Sequence, residues 1–275
     1  MTNVPELLRQ VRWAAGSVAR PNLEEVAAIH AAVSPQGSGV MVDVGAHFGG
    51  SLLRFAADGW EVHAFEPDPS NRDVLVRRVH EMPNVRVDPR AIGEADNVEV
   101  PLFTSPISSG ISTLHPFHPS HEPTARVSTV RLDTYLRDCD EVTFLKVDAE
   151  GHDLQVLRTF PWDRVHPRAI LCEFEARKTL RLGYSMDDLA SYLQGLGYSV
   201  LVSEWLPVRR YGARHRWRSL RLYPCSLRDP AAWGNLIAVE PSLIDAVRRQ
   251  AKWGARGTVL LRKLWSRLRR SVRRG

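Results

Sequence analysis

Short apolar runs closed by glycine or proline alternate with stretches of helical spacing along most of this chain. Residues 40–44, Val-Met-Val-Asp-Val, are one such run, and a run that short reads as a strand buried on both faces. Residues 61–65 and 84–87 repeat it, with helices predicted between at 51–57 and 69–80. Pro69 suits the first turn of its helix, where a missing N–H has no intrahelical partner to lose. Upstream, Leu23, Val26, Ala27 and residues 29–32 give a helical apolar face that ends at the loop 34–39. The rhythm breaks between 98 and 132, where strands at 98–104 and 127–132 flank a Ser-, Pro- and His-rich stretch at 105–124. A loop that long inside a compact domain is usually a lid, a binding loop or disorder. The rhythm then resumes: strand 142–147, helix 154–159, strand 169–172, and helix 186–196 with Ser185 as N-cap and Gly197 as stop. Residues 198–205 and 235–240 are the last two strands, and no repeat is visible. Alternating strands and helices imply a mostly parallel sheet covered on both faces. Ligands of such sheets bind at the carboxyl ends of the strands, where the strand order reverses.

The 275 residues are 44% hydrophobic and 25% charged, which excludes wholesale disorder. No apolar run approaches the roughly 18 residues of a membrane span, and the first sixteen residues lack the apolar core of a secretory signal, so the cytoplasm is the expected compartment. Cys139, Cys172 and Cys225 stand far apart and form neither a metal pair nor a disulfide framework. The net charge of +6 conceals an asymmetry: from Arg248 onward there are eleven basic residues and no acid, while the rest carries a net of −5. Leu261, Leu264, Trp265, Leu268 and Val272 would share one face of a helix there, with the arginines on the other. That pattern suits the inner, anionic surface of a membrane better than a specific nucleic acid. The chain therefore divides into an N-terminal helical extension (1–36), an α/β body (37–241) and a basic amphipathic tail (242–275). Nothing in the pattern fixes an oligomeric state.

The carboxyl end of the first strand reads Asp43-Val44-Gly45-Ala46-His47-Phe48-Gly49-Gly50. Gly45 and Gly49 allow the backbone to approach a ligand at a strand-to-helix turn. Glu66 ends the second strand 21 residues after Gly45, about where an acid accepts both hydroxyls of a ribose. An NAD-dependent oxidoreductase would want G-x-G-x-x-G to seat a pyrophosphate; here the spacing is G-x-x-x-G-G and Asp43 precedes it. A carboxylate beside the turn suits a cationic amino group, and S-adenosylmethionine (SAM) has a ribose, an amino group, a sulfonium and no phosphate.

The ordered set V-D-V-G-A-x-x-G, F-E-P-x-P, Ala91-Ile92-Gly93, Arg131-Leu132-Asp133-Thr134, Leu145-Lys146-Val147-Asp148-Ala149-Glu150-Gly151-His152 and Leu171-Cys172-Glu173 resembles the FkbM-type SAM-dependent methyltransferases from about residue 40 to 175. The resemblance implies a class I methyltransferase fold, a Rossmann-like seven-stranded sheet with the last strand antiparallel. It also implies O-methylation, commonly of sugar hydroxyls on glycans, glycolipids or natural products. By it, Asp43, Gly45, Ala46, His47, Gly49, Glu66, Ala91 and Asp148 are the cofactor-binding residues. His47 departs from the family, which often has Asn there; a His can still reach the cofactor carboxylate. A catalytically inactive binding module, tethered by the tail, is the non-enzymatic rival, and intact Asp43, Glu66 and Asp148 argue against it.

Methyl transfer to a hydroxyl needs an aligned nucleophile and a group to take its proton. Asp148, Glu150 and His152 stand together at the end of the fourth strand and are the catalytic candidates. His152, at the start of a helix, is expected to be neutral. Two carboxylates there are compatible with a divalent ion, though no ligand spacing compels one. Lys146 is expected to bridge to Glu173 on the next strand. For the acceptor, the connection 206–218 offers Arg210, Tyr211, Arg214 and Trp217, aromatics and arginines that suit a nucleotide-sugar, a phosphorylated glycan or a glycolipid. Ser112, Thr113 and Glu173 are the other expected substrate contacts.

Overall fold

The computed structural model describes residues 24–34, 37–213 and 215–251. Most of the N-terminal extension, Arg214 and the tail from residue 252 lie outside the described residues. Helix α1 (Glu25–Val33) precedes the first strand. The elements β1 (Val40–Val44), α2 (Leu53–Ala57), β2 (Glu61–Phe65), α3 (Pro69–Val79) and β3 (Val85–Asp88) then follow the predicted order. The next part is β4 (Ala91–Ile92), β5 (Glu99–Thr104), β6 (Glu122–Val130) and α4 (Leu132–Tyr135). The chain continues through β7 (Phe144–Val147), α5 (Asp153–Arg158), β8 (Ala169–Glu175) and α6 (Ala176–Thr179). It closes with α7 (Met186–Gly195), β9 (Ser199–Trp205), β10 (Trp217–Leu222) and β11 (Trp233–Val239).

The main sheet runs β10-β9-β11-β8-β7-β1-β2-β3. The pairs β3–β2, β2–β1, β1–β7 and β7–β8 are parallel, and β11 is antiparallel to both β8 and β9. Without β10 this is the seven-stranded class I methyltransferase sheet, six strands parallel and the last in sequence antiparallel. Strand order reverses at β1 and β7, so the turns after β1, β2 and β7 share one carboxyl edge. Alternation along each strand divides the core. Val42, Leu145 and Ile170 face α5 and α7; Met41, Phe144 and Leu171 face α1, α2 and α3 through Ile29, Phe55 and Leu75.

The pattern of apolar positions missed β10, an eighth strand paired antiparallel to β9. Its sequence, Trp-Arg-Ser-Leu-Arg-Leu, carries no buried stripe because it is an edge strand. Arg218 and Arg221 turn back instead to the fully buried Glu204, at 3.1 and 2.5 Å. The break between 98 and 132 is a separate three-stranded sheet, β4-β6-β5. Strand β6 begins at Glu122, so the connecting loop is shorter than expected, and it folds back on itself: Phe103 exchanges backbone hydrogen bonds with Thr113. Pro69 opens α3 and Ser185 caps α7 as the sequence implies, Ser185 and Asp188 forming a reciprocal capping box. The structure adds Asp68, which accepts from Ser70 and Asn71 ahead of Pro69.

Candidate functional site

A cleft of about 190 Å³, open to solvent at its mouth, lies over the carboxyl edge at β1, β2 and β7. Gly45 makes its floor possible. Its φ is +75°, and a Cβ added there would stand 2.0 Å from the carbonyl oxygen of Asp148, so the turns after β1 and β7 meet through a residue without a side chain. Glu66 is clamped from two turns at once: the amide of His47 donates to Oε2 at 2.6 Å and that of Asp68 to Oε1 at 3.0 Å. Burial raises its pKa to about 7 in spite of those two donors. The His47 ring reaches across to Ser109 Oγ at 2.9 Å, and Asn71 holds the Ser109 carbonyl.

These residues fit SAM. Each Glu66 oxygen accepts one backbone amide and keeps further lone-pair capacity for hydroxyl donors. Phe65, Ala91, Ile92 and Leu102 offer apolar walls for a purine, and the half-exposed Asp148 faces the same space.

Three cofactor assignments are corrected. Asp43 does not reach the cleft. It is fully buried beneath the turn and ion-paired with Lys146 at 3.1 Å. Lys146 also donates to the Gly45 carbonyl at 3.1 Å and lies 3.5 Å from Asp148. The expected Lys146–Glu173 bridge is absent because the register places Lys146 opposite Asp43 on one side and Leu171 on the other. Burial pushes the Asp43 carboxyl up, against the pull of Lys146. Ala46 is buried and spends its amide on the Phe65 carbonyl. Gly49 (φ +80°) serves packing, since a Cβ there would meet Leu75 of α3 at 2.8 Å.

The reacting end is built on the turn after β7. Glu150 takes φ +52° and Gly151 φ +99°, which returns the chain toward α5. Asp148, Glu150 and His152 all line the cleft. His152 is the N-cap of α5, is buried, and stacks on His115 with ring centroids 5.1 Å apart; its Nδ1 has no partner. Burial first, and His115 second, lower its pKa to about 4. The imidazole is therefore neutral, but burial is the cause rather than the dipole of a helix only six residues long.

Lys178, which sequence reasoning missed, is the centre of this edge. Buried on α6, it stands 2.6 Å from Glu150, 2.5 Å from Glu173 and 3.4 Å from Glu175, and it lies over the Phe117 ring. Oxygens of Asp148, Glu150 and Glu173 lie within 4.8 Å of one another, with the ammonium beside two of them. Burial raises Glu173 to about 7 and pushes Glu150 and Asp153 upward as well. Only the tertiary fold brings Lys178 here; its sole sequence signal is position, five residues after Glu173.

The loop 105–121 forms one wall. Ser112 and Thr113 line the cleft; the Ser112 hydroxyl donates to Asp68 at 2.7 Å and that of Thr113 to the Glu150 carbonyl at 3.4 Å. The connection after β9 packs against that loop, Val208 and Tyr211 on Ile111 and Phe117, and among the described residues it contributes nothing to the lining of the cleft, which corrects three substrate assignments. Tyr211 is buried on Phe117 and Ile111, and its hydroxyl donates to Glu175 at 3.1 Å, so its ring is structural support and no open stacking face. Trp217 belongs to β10, opposite Trp205, and donates to Ser203 at 3.1 Å. Arg210 is exposed on this connection and lies outside the cleft lining.

A sequence model described as "Methyltransferase FkbM domain" matches residues 43–200. No curated protein matches the chain significantly. Solved structures with a similar fold include the precorrin-6y C5,15-methyltransferase of Geobacter metallireducens GS-15, 13% identical over 78% of this chain and 88% of that one, with a TM-score of 0.41. A precorrin 8w decarboxylase from Methanobacterium thermoautotrophicum is 17% identical over 82% and 94%, at 0.40. An rRNA methylase from Streptococcus thermophilus is 11% identical over 74% and 87%, at 0.38.

Proposed function

This chain belongs to the FkbM family of SAM-dependent methyltransferases, and we propose that it methylates the oxygen of a sugar hydroxyl on a glycan, glycolipid or glycosylated natural product. When bound, SAM supplies an electrophilic methyl group. The chain's residues do the rest. Glu66 would take the ribose hydroxyls, Phe65, Ala91 and Ile92 the adenine, and His47 and Asp148 the polar methionine end.

The observation that carries the oxygen-acceptor reading is His152. A hydroxyl has to lose its proton as it attacks. His152 lines the cleft, is held neutral by burial, and keeps Nδ1 unpartnered. We assign it as the proton acceptor. Glu150 is committed to Lys178, and Asp148 to Lys146. The acceptor would enter at the mouth of the cleft beside Ser112 and Thr113 of loop 105–121.

The 37–241 body carries this activity, on our reading, in a cytoplasmic enzyme. The composition of the tail supports placing it peripherally at an anionic membrane surface. Among the described residues no helix is long and apolar enough to cross a membrane.

Two measurements test the proposal. Labelled methyl from SAM should enter glycan or glycolipid extracts as an O-methyl sugar; label confined to RNA, protein or a carbon position overturns it. His152→Gln should lower turnover about 100-fold with SAM affinity retained. If Asp148→Asn or Glu150→Gln does so while His152→Gln does not, the base is misassigned.

A further inference from the structure

Beside the Lys178 cluster, the connection after β9 folds into a second cavity. It is lined by Arg209, Arg210, His215, Arg216 and Arg218, with Asp229 as the acid among its lining residues. Strand β9 runs parallel to β8, so this groove opens at the carboxyl edge that also carries the cleft. Between them lies the buried Tyr211, next to Arg210, whose hydroxyl donates to Glu175 of the Lys178 cluster.

The charge in the groove is unbalanced. Arg218 is answered by the buried Glu204. Arg209, Arg210 and Arg216 are exposed and have no carboxylate within ion-pair distance among the described residues. Outside the described residues the sequence carries a single acid, Glu6. Guanidinium groups gathered without counter-charge repel one another, and planar forks of this kind match phosphate oxygens.

We propose that this groove binds a phosphate or pyrophosphate group of the acceptor, so that the methylated sugar is a phosphate-linked one. This rests on the sugar-methylation reading. The groove holds the anion while the sugar extends along the shared carboxyl edge toward His152. A nucleotide-linked and a lipid-linked sugar share this chemistry.

The test is calorimetric titration of the full-length protein with inorganic pyrophosphate, with SAM titrated in parallel. The wild type should bind pyrophosphate, and Arg209→Ala/Arg210→Ala/Arg216→Ala should bind it at least tenfold more weakly with SAM affinity unchanged. Asp229→Asn, which keeps the oxygen that caps Ala231, should bind pyrophosphate more tightly. Affinity of the triple variant within twofold of wild type, or no binding by wild type, overturns the proposal. SAM binding without pyrophosphate binding sinks the groove alone, whereas failure to bind SAM sinks the methyltransferase reading with it. Uridine diphosphate and vesicles containing polyprenyl phosphate then separate the sources: the one whose binding the triple variant loses is the one the groove serves.

Discussion

The two sides of the cleft satisfy their buried acids in opposite ways. At β1 and β2, Glu66 is held by the backbone amides of His47 and Asp68, both delivered by turns adjacent to it. At β7 and β8, Glu150, Glu173 and Glu175 converge on one ammonium carried by α6. The first arrangement is neutral dipoles on a single carboxylate and depends on turn geometry. The second is a charge cluster with more acid than base, in which Lys178 reaches all three acids and Arg177 only Glu175. Backbone donors survive most substitutions, while a shared counter-ion does not.

The sharpest way to break that contrast is Lys178→Met. Removing one partner of a buried ion pair costs about 3–5 kcal/mol, and here Glu150 and Glu173 lose theirs while Glu175 keeps Arg177 at 3.8 Å. Urea denaturation should show a loss of that order at pH 8 and a smaller one at pH 5, where the freed acids take up protons. An equal loss at both would mean that the cluster is not electrostatically governed.

Gly45→Ala attacks the other side through sterics. A Cβ 2.0 Å from the Asp148 carbonyl, on a backbone at φ +75°, should lower stability by about 2–4 kcal/mol and remove SAM binding. Gly49→Ala meets only the flexible end of Leu75 and should be milder in SAM titration.

Glu66→Gln should weaken SAM by about 1.5–3 kcal/mol, roughly 10- to 100-fold. The pH dependence has a definite sign. The Glu66 pKa is raised from 4.5 to about 7, so the folded state holds a proton that the unfolded state has released. The stability this contributes is complete below about pH 4.5 and is lost as pH rises through 7. SAM affinity should move the other way, rising through pH 7 as the carboxylate ionises and accepts from ribose. Both trends should flatten in Glu66→Gln; a SAM profile that stays pH-dependent in the variant assigns the titration elsewhere.

The smallest effect on the folded body is expected from removing residues 252–275. This takes away nine basic residues and should leave SAM affinity unchanged while reducing binding to anionic vesicles, by about 1 kcal/mol per basic residue near the surface. Vesicle binding that survives truncation would place the membrane contact on the body.

The sequence by itself determined the α/β alternation, Pro69 in the first turn of α3, the cap at Ser185, the Gly45 turn and the position of Glu66. Each is written in a few neighbouring residues: an apolar run, a turn glycine, an acid at a strand end. It also brought Asp148, Glu150 and His152 to one edge, because they share one turn. Only the tertiary structure decided where the charges went. Register turned Asp43 inward to Lys146 and denied Lys146 to Glu173. Strand β10 carried no apolar stripe because its arginines answer a buried Glu204. Lys178 had no local mark at all, since an ion pair depends on distance in space, and that distance exists only once α6 has packed against the turn after β7.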